Sequence, residues 1–282
     1  MARLELKGWD IAIGDGAPLV CIMGLNVLED IDLALETARH LKAKTAELGL
    51  PFIFKASFDK ANRSSMQSYR GPGLERGLEI LARVKADVGV PIATDYHEVD
   101  QAEPVAAVAE VVQVPAFLCR QTDLVVAGAR AAQRHGGWLH VKKGQFLAPL
   151  DARNIIDKVK EAVETDLVVM CERGVSFGYN NLVVDMLGIP EMQHLGVPVT
   201  MDATHAVQLP GANPLTNGAS AGGRREGVPV LAMAAVAAGV DGVFLEFHPD
   251  PERAPCDGPS CLPLAAAGPL LARLKAVRDA VA

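Results

Sequence analysis

Lys55, Lys60 and Arg63 fall within nine residues, inside the string FKASFDKANRSS that runs from Phe54 to Ser65. They follow directly on the apolar run Pro51–Phe54, with Ser57, Asn62, Ser64 and Ser65 beside them. Cations neutralise a phosphate, and hydroxyls and amides complete its hydrogen bonds. The string therefore suits a phosphorylated small molecule. A solvated basic loop is the plainer account of a charge cluster, but cations follow other apolar runs too. Lys142 and Lys143 come after one, with Gln145 two residues on, and Arg173 closes the string CERG after another. Such a set suits one ligand bearing several negative charges.

A second set of residue types suits proton transfer or a divalent metal. Asp202 and His205 lie in DATH, Glu246 and His248 in EFHPD, and Asp250 and Asp257 follow shortly after. Oxygen and imidazole donors of this kind hold a metal or move protons, and the types alone leave both open. Cys256 and Cys261 have a CxxxxC spacing with no second pair, which is a weak zinc signal. The Gly-rich stretch Gly211–Gly223, ending before Arg224 and Arg225, is expected to act as a lid.

These residues need a scaffold that collects them. Eight short apolar runs each end in polar or charged residues: Leu19–Met23, Pro51–Phe54, Pro91–Thr94, Val111–Val114, Trp138–Val141, Leu167–Met170, Val197–Met201 and Gly242–Leu245. Amphipathic helical patterns such as Asp30–Leu48 and Gly73–Val88 lie between them. Unbroken apolar strands alternating with helices predict a parallel sheet covered by helices. Eight units in 282 residues fit a (β/α)8 TIM barrel. A doubly wound sheet is the second choice, and the Gly-rich nucleotide fingerprint that would favour it is missing after the first run. The expected organisation is a single domain, 1–282, whose first 17 residues form a hairpin (Leu4–Ile13) closing the bottom of the barrel. Barrel enzymes build their sites at the C-terminal ends of the strands. Here those ends read NVLED, KASFDKANRSS, TDYHE, PAFLCRQTD, KKGQF, CERG, DATH and EFHPD, polar in every case.

The net charge of −7 argues against a nucleic-acid surface, so the basic clusters are local exceptions in an acidic protein. No apolar run reaches the length of a membrane span, and the charged opening MARLELKGWD does not read as an export signal. With five scattered cysteines, the expectation is a reduced cytoplasmic protein.

The strings FKASFDKANRSS, YRGPG, PAFLCRQTDL, VKKGQF, FGYNNLVVDM, DATHA, SAGGRR and EFHPDPERAPCDGPS resemble the 3-deoxy-D-manno-octulosonate 8-phosphate synthase family. They span about Asn26 to Leu264. The resemblance implies a homotetrameric (β/α)8 barrel that condenses phosphoenolpyruvate with D-arabinose 5-phosphate and water, releasing phosphate. The product leads to the inner core of lipopolysaccharide. By the same resemblance Lys60, Lys142 and Arg173 hold phosphoenolpyruvate, with Lys55, Ser57, Asp95, Gln145 and His205 at the same end. Asn62, Arg63 and Ser64 hold the sugar phosphate, helped by Arg120 of a neighbouring subunit. Asp250 contacts sugar hydroxyls, and Phe117 lies near the subunit boundary. The candidate catalytic residues are Lys60, His205, Glu246, Asp250 and Asn26, and the base among them stays open.

The family has metal-dependent and metal-independent branches. The first uses a Cys where Asn26 stands here, together with residues matching His205, Glu246 and Asp257. An amide is a poor substitute for a thiolate, so the resemblance implies the metal-independent branch and no cofactor. Gly144 in VKKGQF, Tyr96 and Val99 in TDYHEVD, and a long Leu209–Gly218 loop depart from the usual pattern. They bear on the sugar acceptor more than on the reaction. A paralogue using another aldose phosphate, or a non-catalytic sugar-phosphate-binding barrel, are the alternatives.

Overall fold

The computed structural model describes residues 2–212 and 221–281. Eight parallel strands form the barrel: β1 Val20–Val27, β2 Phe52–Ser57, β3 Ile92–Asp95, β4 Val111–Val114, β5 Trp138–Lys142, β6 Val168–Glu172, β7 Val199–Asp202 and β8 Gly242–His248. Each pairs with the next, and β8 closes on β1 from Gly242↔Val20 to Glu246↔Gly24. The principal helices are α1 Ile31–Leu48, α2 Leu74–Val84, α3 Ala102–Val108, α4 Thr122–His135, α5 Arg153–Ala162, α6 Gly188–Gln193, α7 Val228–Ala237 and α8 Ala267–Val281. This is the expected (β/α)8 architecture. The expected first helix begins one residue later than its pattern, because Asp30 is its N-cap and accepts from the Leu33 N–H at 2.8 Å. The second ends at Val84 and continues as a π turn, Lys85–Gly89.

The two-residue period of the strands sorts the side chains into two cores. Outward residues such as Phe54, Ile92, Val112, Val141 and Met201 pack against the helices. Inward residues form layers. The lowest contains Ile22, Ile53, Val111, Trp138 and Val169, covered from below by Leu4, Leu6, Ile11 and Ile13. The last four come from a hairpin of strands Arg3–Glu5 and Ala12–Gly14, so the expected N-terminal plug is present. The Trp138 indole N–H donates to the Glu5 carbonyl at 3.2 Å and ties plug to barrel. Emptying so large a buried side chain costs about 3–5 kcal/mol. Above lies a mixed layer of Gln113, His140, Thr200 and Phe244, and above that the charges.

Seven of the eight strands run past their expected ends, three of them by three or four residues. β1 extends to Val27, β2 to Ser57 and β8 to His248, so Asn26, Lys55, Ser57, Glu246 and His248 stand on strands rather than loops. The apolar criterion stops at the first polar residue, whereas a barrel's upper interior is polar because the site is there.

Tyr96 is fully buried behind the mouth, its hydroxyl donating to the Leu124 carbonyl at 2.6 Å. Its ring requires Gly128 on α4, where a Cβ would meet the hydroxyl at 2.0 Å. The Tyr96 departure noted in the sequence is therefore a packing feature of β3 against α4. Of the expected lid, residues 213–220 lie outside the described residues. Its flanks Gln208–Leu209 and Gly222–Gly223 pair as a short antiparallel ribbon.

Candidate active site

A cavity of about 440 Å³ opens at the C-terminal end of the barrel. Lys55, Lys60, Arg63, Lys142 and Arg173 all line it, as do Asn62, Ser64, Asp95, Phe117, Gln145 and His205. Five cations, carried by the ends of β2, β5 and β6 and the residues just beyond them, thus converge as expected.

Four carboxylates surround these cations: Asp95, Asp202, Glu246 and Asp257. The Lys55 ammonium donates to Ser57 Oγ at 2.9 Å and to Glu246 Oε1 at 3.0 Å. Lys60 donates to the same Ser57 oxygen at 3.0 Å, and Ser57 donates to Asp95 Oδ1 at 2.5 Å. Ser57 is therefore the joint between two ammonium groups and a carboxylate. Across the mouth Lys142 donates to Asp202 Oδ2 at 2.7 Å and sits 3.8 Å above the centre of the Phe244 ring, a cation–π floor.

Burial and charge act in opposite directions here. Burial, then the neighbouring Lys60, pulls the Lys55 ammonium below the ordinary lysine value. Burial also disfavours the charged form of Lys60, yet Asp95 and Glu246 outweigh it and raise that pKa. For Glu246, burial is outweighed by Lys55, His205 and Lys60, which bring the carboxyl down to about 2. Asp95 is held well below the carboxylate range, because Lys55 and its His97 hydrogen bond overcome burial. Asp202 is depressed in the same way by His205 and Lys142 against burial.

His205 follows β7 on a single helical turn, Ala203–Ala206. Its Nδ1 is 2.7 Å from Asp202 Oδ2, and its Nε2 faces Glu246 at 3.5 Å and Asp257 at 3.8 Å. Asp257 adopts φ +51, a backbone geometry uncommon for a non-glycine residue, and aims its carboxylate at Asn26.

Arg173 is 5% exposed, and its Nε and Nη1 have no partner among the described residues. Its one side-chain bond among those residues is from Nη2 to Gln208 Oε1 at 3.4 Å. Burial pulls its pKa down from the ordinary guanidinium value. Unpartnered buried donors cost free energy unless an anion meets them. Arg63 donates to the Cys256 sulfur and the Pro255 carbonyl, which ties the β2 loop to the β8 loop.

Asn26, Glu246, His205 and Asp257 meet in space, and they test whether a metal fits. The Asn26 amide nitrogen donates to Glu246 Oε2 at 2.5 Å and to Asp257 Oδ2 at 3.1 Å. Amide hydrogens therefore fill the space between the two carboxylates, and the strand-one position offers an amide instead of a thiolate. Among the described residues no group of three or more His, Cys, Asp and Glu is arranged to hold a metal ion. The donor set as it stands does not fit a metal.

Two expected residues lie elsewhere. Asp250 is exposed and outside the cavity lining, with its backbone against His248. Arg120 is exposed and lines a separate small cavity with Asp151, Asn154 and Lys158. Gln113 was missed by sequence reasoning, although it lines the site. Its signal is the one polar residue in the β4 run VVQV. The CxxxxC spacing of Cys256 gives only a weak zinc signal, whereas in the structure Cys256 is a free buried thiol that accepts a hydrogen bond from Arg63.

A family model described as the DAHP synthetase I family matches residues 2–281. The chain belongs to the DAHP synthetase I family. Within it, a Cupriavidus necator protein named 2-dehydro-3-deoxyphosphooctonate aldolase is 56% identical, over 96% of this chain and 92% of its own length. Proteins of the same name from Marinobacter nauticus and Shewanella denitrificans are 52% and 51% identical over the whole of this chain. The matches cover 97% and 95% of those proteins' own lengths. Family membership therefore extends over the barrel and the hairpin together. Among the described residues no helix is long and apolar enough to cross a membrane.

Proposed function

We propose that this member of the DAHP synthetase I family condenses phosphoenolpyruvate with D-arabinose 5-phosphate and water, giving 3-deoxy-D-manno-octulosonate 8-phosphate and phosphate. The observation that carries this reading is the convergence of Lys55, Lys60, Arg63, Lys142 and Arg173 on one cavity of about 440 Å³. Two phosphorylated substrates and a carboxylate need such a set. The shared name of near full-length relatives at 51–56% identity supports the same reaction.

In this reading Lys60, Lys142, Arg173 and Gln145 bind phosphoenolpyruvate, with Lys55, Ser57 and Asp95 fixing the ammonium groups beneath it. Asn62, Arg63 and Ser64 take the sugar phosphate. Binding both anions aligns the vinyl carbon of one substrate with the aldehyde carbon of the other. The new carbon–carbon bond forms there, water adds at carbon 2, and phosphate leaves with cleavage of the carbon–oxygen bond. The position of its ring favours His205 as the group that moves the proton. Glu246 is too weak a base at about 2, Lys60 is held as a cation, and Asp250 stands outside the cavity. The His205 ring stands between Asp202 and the Glu246–Asp257 pair, a route for a proton.

From the family resemblance we also propose a homotetramer with sites shared across an interface; Phe117 at the mouth and Arg120 beyond it are both exposed and so open to a neighbouring subunit. Five free, buried thiols suit a reducing compartment, and we place the reaction in the cytoplasm. The test is phosphate release from phosphoenolpyruvate with a panel of aldose phosphates. Release only with D-arabinose 5-phosphate supports the proposal, release with another aldose corrects the acceptor, and binding without turnover rejects the synthase.

A further inference from the structure

The mouth ends of β5 and β6 each carry two polar residues in succession, which the pleat sends to opposite sides. Lys142 and Arg173 face the cavity. Lys143 and Glu172 face away from it, and neither is in its lining. Both are buried, at 0% and 2% exposure. The Lys143 ammonium lies 3.4 Å from Glu172 Oε1 and donates to the Leu147 carbonyl at 3.2 Å.

The same Glu172 oxygen accepts the backbone N–H of Arg173 at 2.9 Å and of Gly174 at 2.6 Å. Those two N–H groups belong to the peptide planes on either side of the Arg173 Cα. Each plane is rigid, so anchoring both fixes the two soft dihedrals of Arg173 and with them the direction of its side chain. The chain then turns at Gly174, with φ +85, where a Cβ would meet the Val183 carbonyl oxygen at 2.9 Å. A buried ion pair is costly to desolvate and is a weak source of stability. Here it holds one carboxylate oxygen where two N–H groups need it.

We propose that Glu172, held by Lys143, is a positioning residue that sets the approach of the Arg173 guanidinium to the anionic substrate. For the identity of that anion, phosphoenolpyruvate, the inference rests on the function proposed above. Neither residue lines the substrate cavity, and Glu172 reaches it through the two N–H groups that flank the Arg173 Cα.

The experiment is a double-mutant cycle on the full chain between Glu172→Ala and Arg173→Met. It is read as KM and kcat for each substrate and as calorimetric binding of phosphoenolpyruvate. Glu172→Ala is expected to weaken phosphoenolpyruvate roughly 20-fold or more, with KM for the sugar phosphate within about twofold. Adding it to Arg173→Met should then cost almost nothing further, because residues acting as one unit are non-additive. Glu172→Gln keeps an acceptor for both N–H groups and is expected to lose less than about fivefold. If Glu172→Ala does not fold, Glu172→Gln and Lys143→Met enter the same cycle. Additive losses, or equal rises in KM for both substrates, would overturn the inference. A wild-type enzyme that binds phosphoenolpyruvate but releases no phosphate rejects the proposed reaction, while the calorimetric cycle still decides this point.

Discussion

Arg173→Met should weaken catalysis and leave the free protein as stable as before, or more so. The guanidinium is buried, and two of its three nitrogens have no partner among the described residues. Its remaining contact to Gln208 is long, at 3.4 Å. In the free protein a methionine of similar length removes a buried charge and its unmet donors. Removing a buried charge that touches no carboxylate among the described residues also removes its desolvation cost, so the change should be neutral or stabilising by on the order of 1 kcal/mol. At roughly 2–4 °C per kcal/mol for a chain of this size, Tm should hold or rise by a few degrees.

With phosphoenolpyruvate bound, the same change removes a charge-assisted contact worth about 2–4 kcal/mol. This corresponds to a loss of roughly 30- to 1000-fold in kcat/KM. Phosphate-release kinetics give the second number and thermal unfolding the first. Unfolding with added phosphoenolpyruvate gives a third, since saturating ligand at about 100 Kd raises wild-type stability by about 2.7 kcal/mol. That increment should largely vanish in the variant. A variant that binds phosphoenolpyruvate within about threefold of wild type, or that loses more than about 2 kcal/mol without ligand, would refute the anion-receptor account of Arg173.

Activity should survive exhaustive chelation, because the Asn26 amide fills the space between Glu246 and Asp257, while Asn26→Cys should make it respond to added divalent metal. Loss of activity with a chelator and recovery with metal would contradict this. Mixing inactive Arg63→Ala and Arg120→Ala proteins should restore some turnover, since mixed sites would contain both arginines; mixtures no better than either parent would reject the shared site. The fully buried His140 has its pKa pushed down to about 3 by burial and then by Lys142. Below the unfolded value near 6.5 the unfolded chain binds the extra proton, so this stability is complete above that pH and is lost as pH falls toward 3, by up to about 1.4 kcal/mol per unit. Stability measured against pH should be flatter by about one proton in His140→Gln over this range, and parallel curves would exclude the effect.

The barrel was legible because each strand carries an apolar run, and the hairpin because Leu4–Ile13 alternates. The ends of the strands were not legible to the same rule. Lys55 and Ser57 continue β2 on alternate positions, with Ala56 between them pointing to the helices. A polar–apolar alternation at the end of an apolar run is what an inward-facing site looks like, and it reads as a strand end when only hydrophobicity is followed. The same period would have exposed Gln113 in VVQV. Lys143 and Glu172 were beyond reach for a different reason. The types and spacing of KKGQF and CERG do not say which charge of each pair turns inward, and only the register between β5 and β6 decides it.

That register also explains how one barrel mouth can hold five cations in a protein of net charge −7. Lys55, Lys60 and Lys142 are each held by a carboxylate or by Ser57 bonded to one, so their repulsion is already balanced before any substrate arrives. Arg173 and Arg63 differ. Among the described residues Arg63 donates to a thiol and a carbonyl, both uncharged, and Arg173 to one amide oxygen. The charges without a carboxylate in hydrogen-bond contact among the described residues are thus the two guanidiniums, whose planar forks match a carboxylate or a phosphate in two-point contact. The lysines are fixed by their counter-ions and shape the field, and the arginines are the groups left to be matched by substrate. On this division a Lys142→Arg exchange should not be conservative. It would place a wider group over the Phe244 ring and against Asp202, and should reduce kcat/KM by roughly tenfold or more. Arg173→Lys should retain charge yet lose the two-point match, and fall nearly as far as Arg173→Met. Near wild-type kinetics in Arg173→Lys would show that charge alone suffices at that position.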